Sequence, residues 1–110
     1  MSYHDKEKRA GAVARILQRT ANGMKVEAAE ILSREVGTKQ VSRARMAFCY
    51  LIRPILQNHE TGAILGRRAS GTIDSSWRRC LKVMQYDAEY RESVNRILDY
   101  CEADRDKYRK

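Results

Sequence analysis

Apolar residues recur along most of this 110-residue chain at spacings of three and four, the period of an amphipathic helix. Nowhere do they alternate with polar residues for long enough to make a strand. The pattern predicts an all-α protein, a compact domain of five to six helices. A first helix spans residues 5–20 with Ala10, Val13 and Leu17 on one face, stopped by Ala21, Asn22 and Gly23. A second, residues 24–36, turns Val26, Ala29, Ile31, Leu32 and Val36 inward, and Gly37 ends it. The third covers residues 42–56, its stripe formed by Ala44, Phe48, Leu51, Ile52 and Ile55. Pro54 lacks an amide donor and crowds the carbonyl four residues back, so this helix should kink or end near Arg53.

A short helix at 60–65, a turn at 66–71 and a longer helix at 72–85 follow. In the longer helix Ile73, Trp77, Cys80, Leu81 and Met84 share one face, while Thr72, Ser75, Ser76, Arg79 and Lys82 fall outside it. Asp87 is a suitable N-cap for the last helix, whose buried stripe is Tyr90, Val94, Ile97, Leu98 and Cys101. The ends, about 1–5 and 104–110, should fray, and no linker or repeat divides the single domain of residues 1–110. A short helix, a glycine-bearing turn and a longer two-faced helix make the pattern of a helix-turn-helix.

Charge narrows the partner. The net charge is +8, and residues 39–82 hold nine Lys and Arg against two Asp and Glu, so the middle supplies +7 of it. Such a localised field favours a polyanion. A helix entering the major groove needs short polar side chains for close approach and cations that reach phosphates or guanine edges. Ser70, Thr72, Ser75, Ser76 and Arg79 meet that need, with Arg67 and Arg68 at the turn before them. Lys39, Arg43 and Arg45 form a second basic cluster, ahead of the third helix, where the helix dipole disfavours cations. That mismatch points to an external anion. Double-stranded DNA is the partner these readings favour.

Other classes find less support. The longest apolar run, residues 46–52, is far too short to span a membrane, and the amino terminus has no secretory core. A cytoplasmic, nucleoid-associated protein is expected. Cys49, Cys80 and Cys101 are far apart within apolar patterns and read as small buried hydrophobes. Neither His4 nor His59 has a local carboxylate or thiol arrangement that suggests activation, so neither enzyme activity nor a metal or cofactor is expected. GRRASGT has the glycine spacing of a phosphate loop, but Thr72 occupies the lysine position and no strand precedes it. The glycine pair Gly62 and Gly66 carries no membrane meaning, and the tyrosines read mostly as core.

The chain resembles the carboxy-terminal DNA-binding domain of the bacterial replication initiator DnaA. VEAAEILS followed by VSRARMAFCYLIR is similar to that family's basic loop and long helix, through Leu32, Ser33, Arg43, Arg45, Tyr50, Leu51 and Arg53. LGRRASGTI resembles its signature Phe-Gly-Gly-Arg-Asp-His-Thr-Thr-Val, with Leu65, Gly66, Arg68, Thr72 and Ile73 in register. DAEYRESVNRI looks like its closing helix, so the register covers about residues 12–100. The resemblance implies that the turn and the start of the Thr72 helix enter the major groove while the basic loop, with Arg43, Arg45 and Lys39, reaches phosphates or the minor groove. Ala69, Ser70 and Gly71 replace the Asp-His-Thr that reads the initiator's own site, which implies a changed base preference. Pro54 replaces an acidic residue, and the stretch between Arg53 and Gly62 is two residues short. With no ATPase module in the chain, the expectation is a detached domain, of phage or mobile-element origin, that regulates replication or transcription. The alternative is a protein-interaction module on the same scaffold, with structured RNA a third partner class.

Overall fold

The computed structural model describes residues 6–35, 37–66 and 68–108, with the side chains of 9–101 among them. Among these residues the fold is six helices and no strand: α1 (Lys6–Met24), α2 (Ala28–Leu32), α3 (Lys39–Leu51), α4 (Asn58–Ile64), α5 (Ser70–Tyr86) and α6 (Ala88–Tyr108). The all-α expectation holds. No helix is long and apolar enough to cross a membrane.

Helix α3 is the axis of the domain. Val41, Ala44, Arg45, Met46, Ala47, Phe48, Cys49 and Leu51 are all buried, so the helix is covered on almost every side. Its neighbours are α1, α2 and α5, while α6 closes against α1 and α5, and α4 packs on α5. Phe48, Ile31, Ile52, Leu65, Ile73 and Val94 fill the centre with no appreciable exposure. Burying a side chain of this size stabilises by about 1.5–3 kcal/mol.

Several boundaries differ from the sequence reading. Helix α1 runs through Asn22 and Gly23 and stops only at Lys25, whose φ of 60° is left-handed. There the Val26 amide reaches the Ala21 carbonyl at 3.0 Å and Lys25 reaches Asn22 at 3.4 Å, the paired bonds of a Schellman end. Gly23 serves packing instead, since a Cβ there would sit 2.7 Å from the Ile97 Cδ1 of α6. Inward positions shift accordingly, with Ala12, Ile16, Thr20 and Ala21 buried and Ala10 exposed.

Helix α2 is a short remnant of the predicted segment, and Ala29 faces solvent while Val36 lies outside the described residues. The cause is Arg45, whose Nε donates to the Ile31 carbonyl at 2.9 Å and whose Nη2 donates to that of Glu30 at 2.7 Å. Those oxygens are the C-terminal acceptors that a continuing helix would use. Helix α3 in turn begins three residues early, because Thr38 Oγ1 accepts the Val41 amide at 3.2 Å and acts as N-cap. It ends at Leu51, with Pro54 in the turn that follows, as its missing donor requires.

The turn between α4 and α5 depends on two glycines that the sequence reading set aside. The Arg68 amide donates to the Gly62 carbonyl at 2.8 Å, and a Cβ on Gly62 would collide with the Arg68 carbonyl oxygen. Gly66 has a φ of 70° and lies against Arg34, whose Cα would be 3.0 Å from an added Cβ. By contrast Gly71 has open space around it. Gly62→Ala is therefore expected to lower stability by about 2 kcal/mol through overpacking of backbone on backbone, while Gly71→Ala is neutral or stabilises by up to ~1 kcal/mol. Urea unfolding of the two variants beside the parent checks this.

Candidate nucleic-acid interface

Helix α5 presents two faces. Ile73, Trp77, Cys80 and Val83 are buried, Val83 taking the place expected of Leu81, which is 37 % exposed. Ser70, Thr72, Ser75, Arg79 and Lys82 are exposed and Ser76 is half-buried against α3, beside Cys49. Ala69 is the N-cap and offers no side-chain bond. The amides of Thr72 and Ile73 turn back to the Ala69 carbonyl. Those of Ser70 and Gly71, at the positive end of this 17-residue helix, have no acceptor among the described residues.

The inner edge of α5 is locked by stacking. The Arg53 guanidinium lies 3.6 Å from the centre of the Trp77 ring and that of Arg78 lies 4.7 Å from it. Arg78 also pairs with Asp74 at 2.8 Å. The buried Trp77 indole N–H has no acceptor among the described residues. Neither Arg53 nor Arg78 was a candidate from sequence, because nothing in their spacing announces that they meet one ring.

The basic residues expected to converge at the start of α5 have separate fates. Lys39, Arg43 and Arg45 lie on α3 itself, so there is no basic loop ahead of it. Arg45 is 8 % exposed, and its guanidinium holds the end of α2. Burial first, and then the neighbouring Arg68, lowers its pKa from the ordinary arginine value. It leaves the set of candidate DNA contacts, since a phosphate cannot reach it without opening the core. Arg68 is half-buried and donates to the carbonyls of Leu65 at 2.9 Å, Ser33 at 3.0 Å and Arg34 at 3.3 Å. Its first task is to fasten the turn. Arg67 lies outside the described residues.

Arg43 pairs with Asp87 at 2.6 Å and lies 5.5 Å from the centre of the Tyr90 ring. Asp87 caps the far end of α5, 15 residues beyond Thr72, about 22 Å along the axis at 1.5 Å per residue. Arg43 thus lies at the end of α5 away from the turn, with Arg79 and Lys82 between, while Arg45 is brought beside Arg68 on the backbone where α2 ends. Lys39 is exposed at the first position of α3. No carboxylate among the described residues pairs with Lys39, Arg79 or Lys82. The two acids of the basic centre are engaged elsewhere, Asp74 with Arg78 and Glu60 with Arg9 at 3.2 Å.

No protein-family profile and no curated protein matches the chain. The chemistry of the surface must therefore carry the functional argument.

Two further expectations are settled by burial. Among the described tyrosines only Tyr90 is buried; Tyr86 is 73 % and Tyr100 58 % exposed, so the core reading of the tyrosines is corrected. The cysteines are buried and form no disulfide. Burial pushes the Cys49 thiol up to about 12 and the Cys80 thiol to about 11, far from a nucleophile at neutral pH.

Arg45→Ala removes the donors from two buried carbonyls and is expected to cost roughly 3 kcal/mol by thermal or urea unfolding. Asp87 behaves differently. It accepts the Tyr90 amide at 3.0 Å, and this bond, followed by Arg43, holds its carboxyl below the usual carboxylate range. A depressed pKa stabilises above the unfolded value of about 4, and the contribution disappears as pH falls through the lowered folded value. Asp87→Asn, which keeps an acceptor oxygen but loses the ion pair, should be less stable than the parent at pH 7. The two should converge in strongly acidic buffer.

Proposed function

We propose that the protein binds double-stranded DNA through the outer face of α5. The observation that carries this reading is a 17-residue helix, fixed on its inner side, whose outer side offers Thr72 and Ser75 together with Arg79 and Lys82, while Ser76 turns toward α3 and leaves the set of candidate contacts. A B-form major groove, about 12 Å wide, admits one helix, and short hydroxyl side chains let it approach base edges. Arg79 and Lys82 are one turn apart and reach phosphates along the groove wall. The open amides of Ser70 and Gly71 suit a phosphate at the helix start. Arg68 acts by holding the turn at its angle, Arg43 is engaged by Asp87, and Lys39 adds an exposed cation to the field.

The likeness to the initiator's DNA-binding domain belongs to this reading. So does regulation of replication or transcription at the nucleoid, as a DNA-bound protein without a catalytic step. With Ala69, Ser70 and Gly71 at the start of α5, no side chain there matches the initiator's acidic and imidazole groups, so recognition rests on Thr72, Ser75 and Arg79 and on groove shape.

The sole tryptophan, Trp77, reports binding by its fluorescence, because its stacked arginines are next to the proposed contact face. Duplex DNA affinity should fall steeply with salt, with a log–log slope of about −0.9 per phosphate contact. Arg79→Ala with Lys82→Ala should weaken binding at least about tenfold and reduce that slope by roughly 2. Affinity unchanged in the double variant, or independent of salt, overturns the assignment. Preference for duplex RNA in competition overturns the choice of polymer.

A further inference from the structure

Tyr86, the last residue of α5, is 73 % exposed, and among the described residues no hydrogen bond, ion pair or ring contact holds its side chain. Its neighbours in the same half of the domain differ. The Tyr90 hydroxyl donates to the Arg43 carbonyl at 2.7 Å, and Tyr100 is held by Arg19. The backbone under Tyr86 is nonetheless fixed. The Asp87 amide closes α5 on the Val83 carbonyl at 2.9 Å, Asp87 pairs with Arg43, and Arg91 Nη1 donates to the Met84 carbonyl at 2.8 Å. A free ring therefore stands on a rigid helix end.

Periodicity places that ring. Counting from Ser75, the residues Arg79, Lys82 and Tyr86 follow at four, seven and eleven positions, which is one stripe of an α-helix. The stripe is the proposed DNA face. Tyr86 lies about 16 Å along the axis from Ser75, whereas a major groove is about 12 Å wide. With Thr72 and Ser75 over base edges, Tyr86 stands past the groove wall.

We infer that Tyr86 contacts the sugar–phosphate backbone there, its hydroxyl donating to a phosphate oxygen and its ring lying on the adjoining deoxyribose. This contact presupposes the DNA reading of α5 and is the point at which the helix leaves the groove. Local charge permits it. Asp87 is answered by Arg43, the carbonyl end of α5 by Arg91, and Glu89 lines a groove beside Lys25, while Arg79 and Lys82 supply the field that draws the phosphate in. Tyrosine suits the position, because it joins an apolar body to a polar tip and loses little side-chain freedom on contact. Its hydroxyl carries no charge, so the contact releases few counterions.

The test titrates the full chain with a mixed-sequence duplex and follows Trp77 fluorescence at several salt concentrations. Tyr86→Phe should weaken binding about threefold and Tyr86→Ala about tenfold, as first the hydroxyl bond and then the ring is lost. Both variants should keep the parent's melting temperature and its log–log salt slope, which separates a neutral backbone contact from a structural defect and from a lost cation. Arg79→Ala with Lys82→Ala is the reference, since it lowers the slope. If that double variant loses affinity and slope while Tyr86→Ala binds as the parent does, α5 reads DNA without Tyr86 and this contact alone is overturned. If the parent binds no duplex, the DNA reading fails and the contact with it. Tyr86→Phe equal to the parent, a changed slope in either tyrosine variant, or a lowered melting temperature in Tyr86→Ala also overturns the contact.

Discussion

Two guanidiniums fasten one strip of backbone, and the domain is arranged around that fastening. Arg45 from α3 binds the carbonyls of Glu30 and Ile31, and Arg68 from the turn before α5 binds those of Ser33 and Arg34. Four carbonyls within five residues, where α2 stops, are thus supplied with charged donors from two different elements. Planar arginine suits this task, because several N–H groups in a fixed fork can serve more than one acceptor. At this strip α2, α3 and the α4–α5 turn are tied together by side chains of the same kind. Gly66 then brings the turn close enough to Arg34 for the second tie to form.

This arrangement changes what the basic centre means. A cation count along the chain treats Arg43, Arg45, Arg68 and Arg79 alike, but the folded protein gives each a different environment. Arg45 is inside, Arg68 is bonded to backbone, Arg43 is paired with Asp87, and Arg79 meets no described carboxylate. The field available to an outside polyanion is accordingly narrower than +7 and lies along α5. A compact surface of this kind gives orientation as well as attraction.

Much of the fold was legible because helix periodicity depends on near neighbours. The stripe of Tyr90, Val94, Ile97 and Cys101, the cap at Asp87 and the break at Pro54 were all readable, and each rests on residues within a turn or two. The misreadings share an origin in contacts between distant residues. Gly23 looked like a stop because its partner, Ile97, is 74 positions away in sequence. Arg45 looked like a surface cation because nothing local marks the carbonyls it binds, and the α2 truncation follows from the same contact. For the candidate site, the outer face of α5 was visible from periodicity alone. Its flanking arginines were not, since the stacking of Arg53 on Trp77 joins two elements that the sequence separates by 24 residues.

Ser76 and Cys49 are in contact where α5 crosses α3, and Cys80 lies beneath Tyr90 on the same seam, 3.5 Å from its hydroxyl. Thiols held this far from ionisation react with an alkylating reagent only during excursions in which the two helices part. The labelling rate of these sulfurs is consequently a clock for how often α5 detaches from its support. A duplex that gripped the outer side of α5 alone would leave that clock running, while one that pressed α5 onto α3 would slow it.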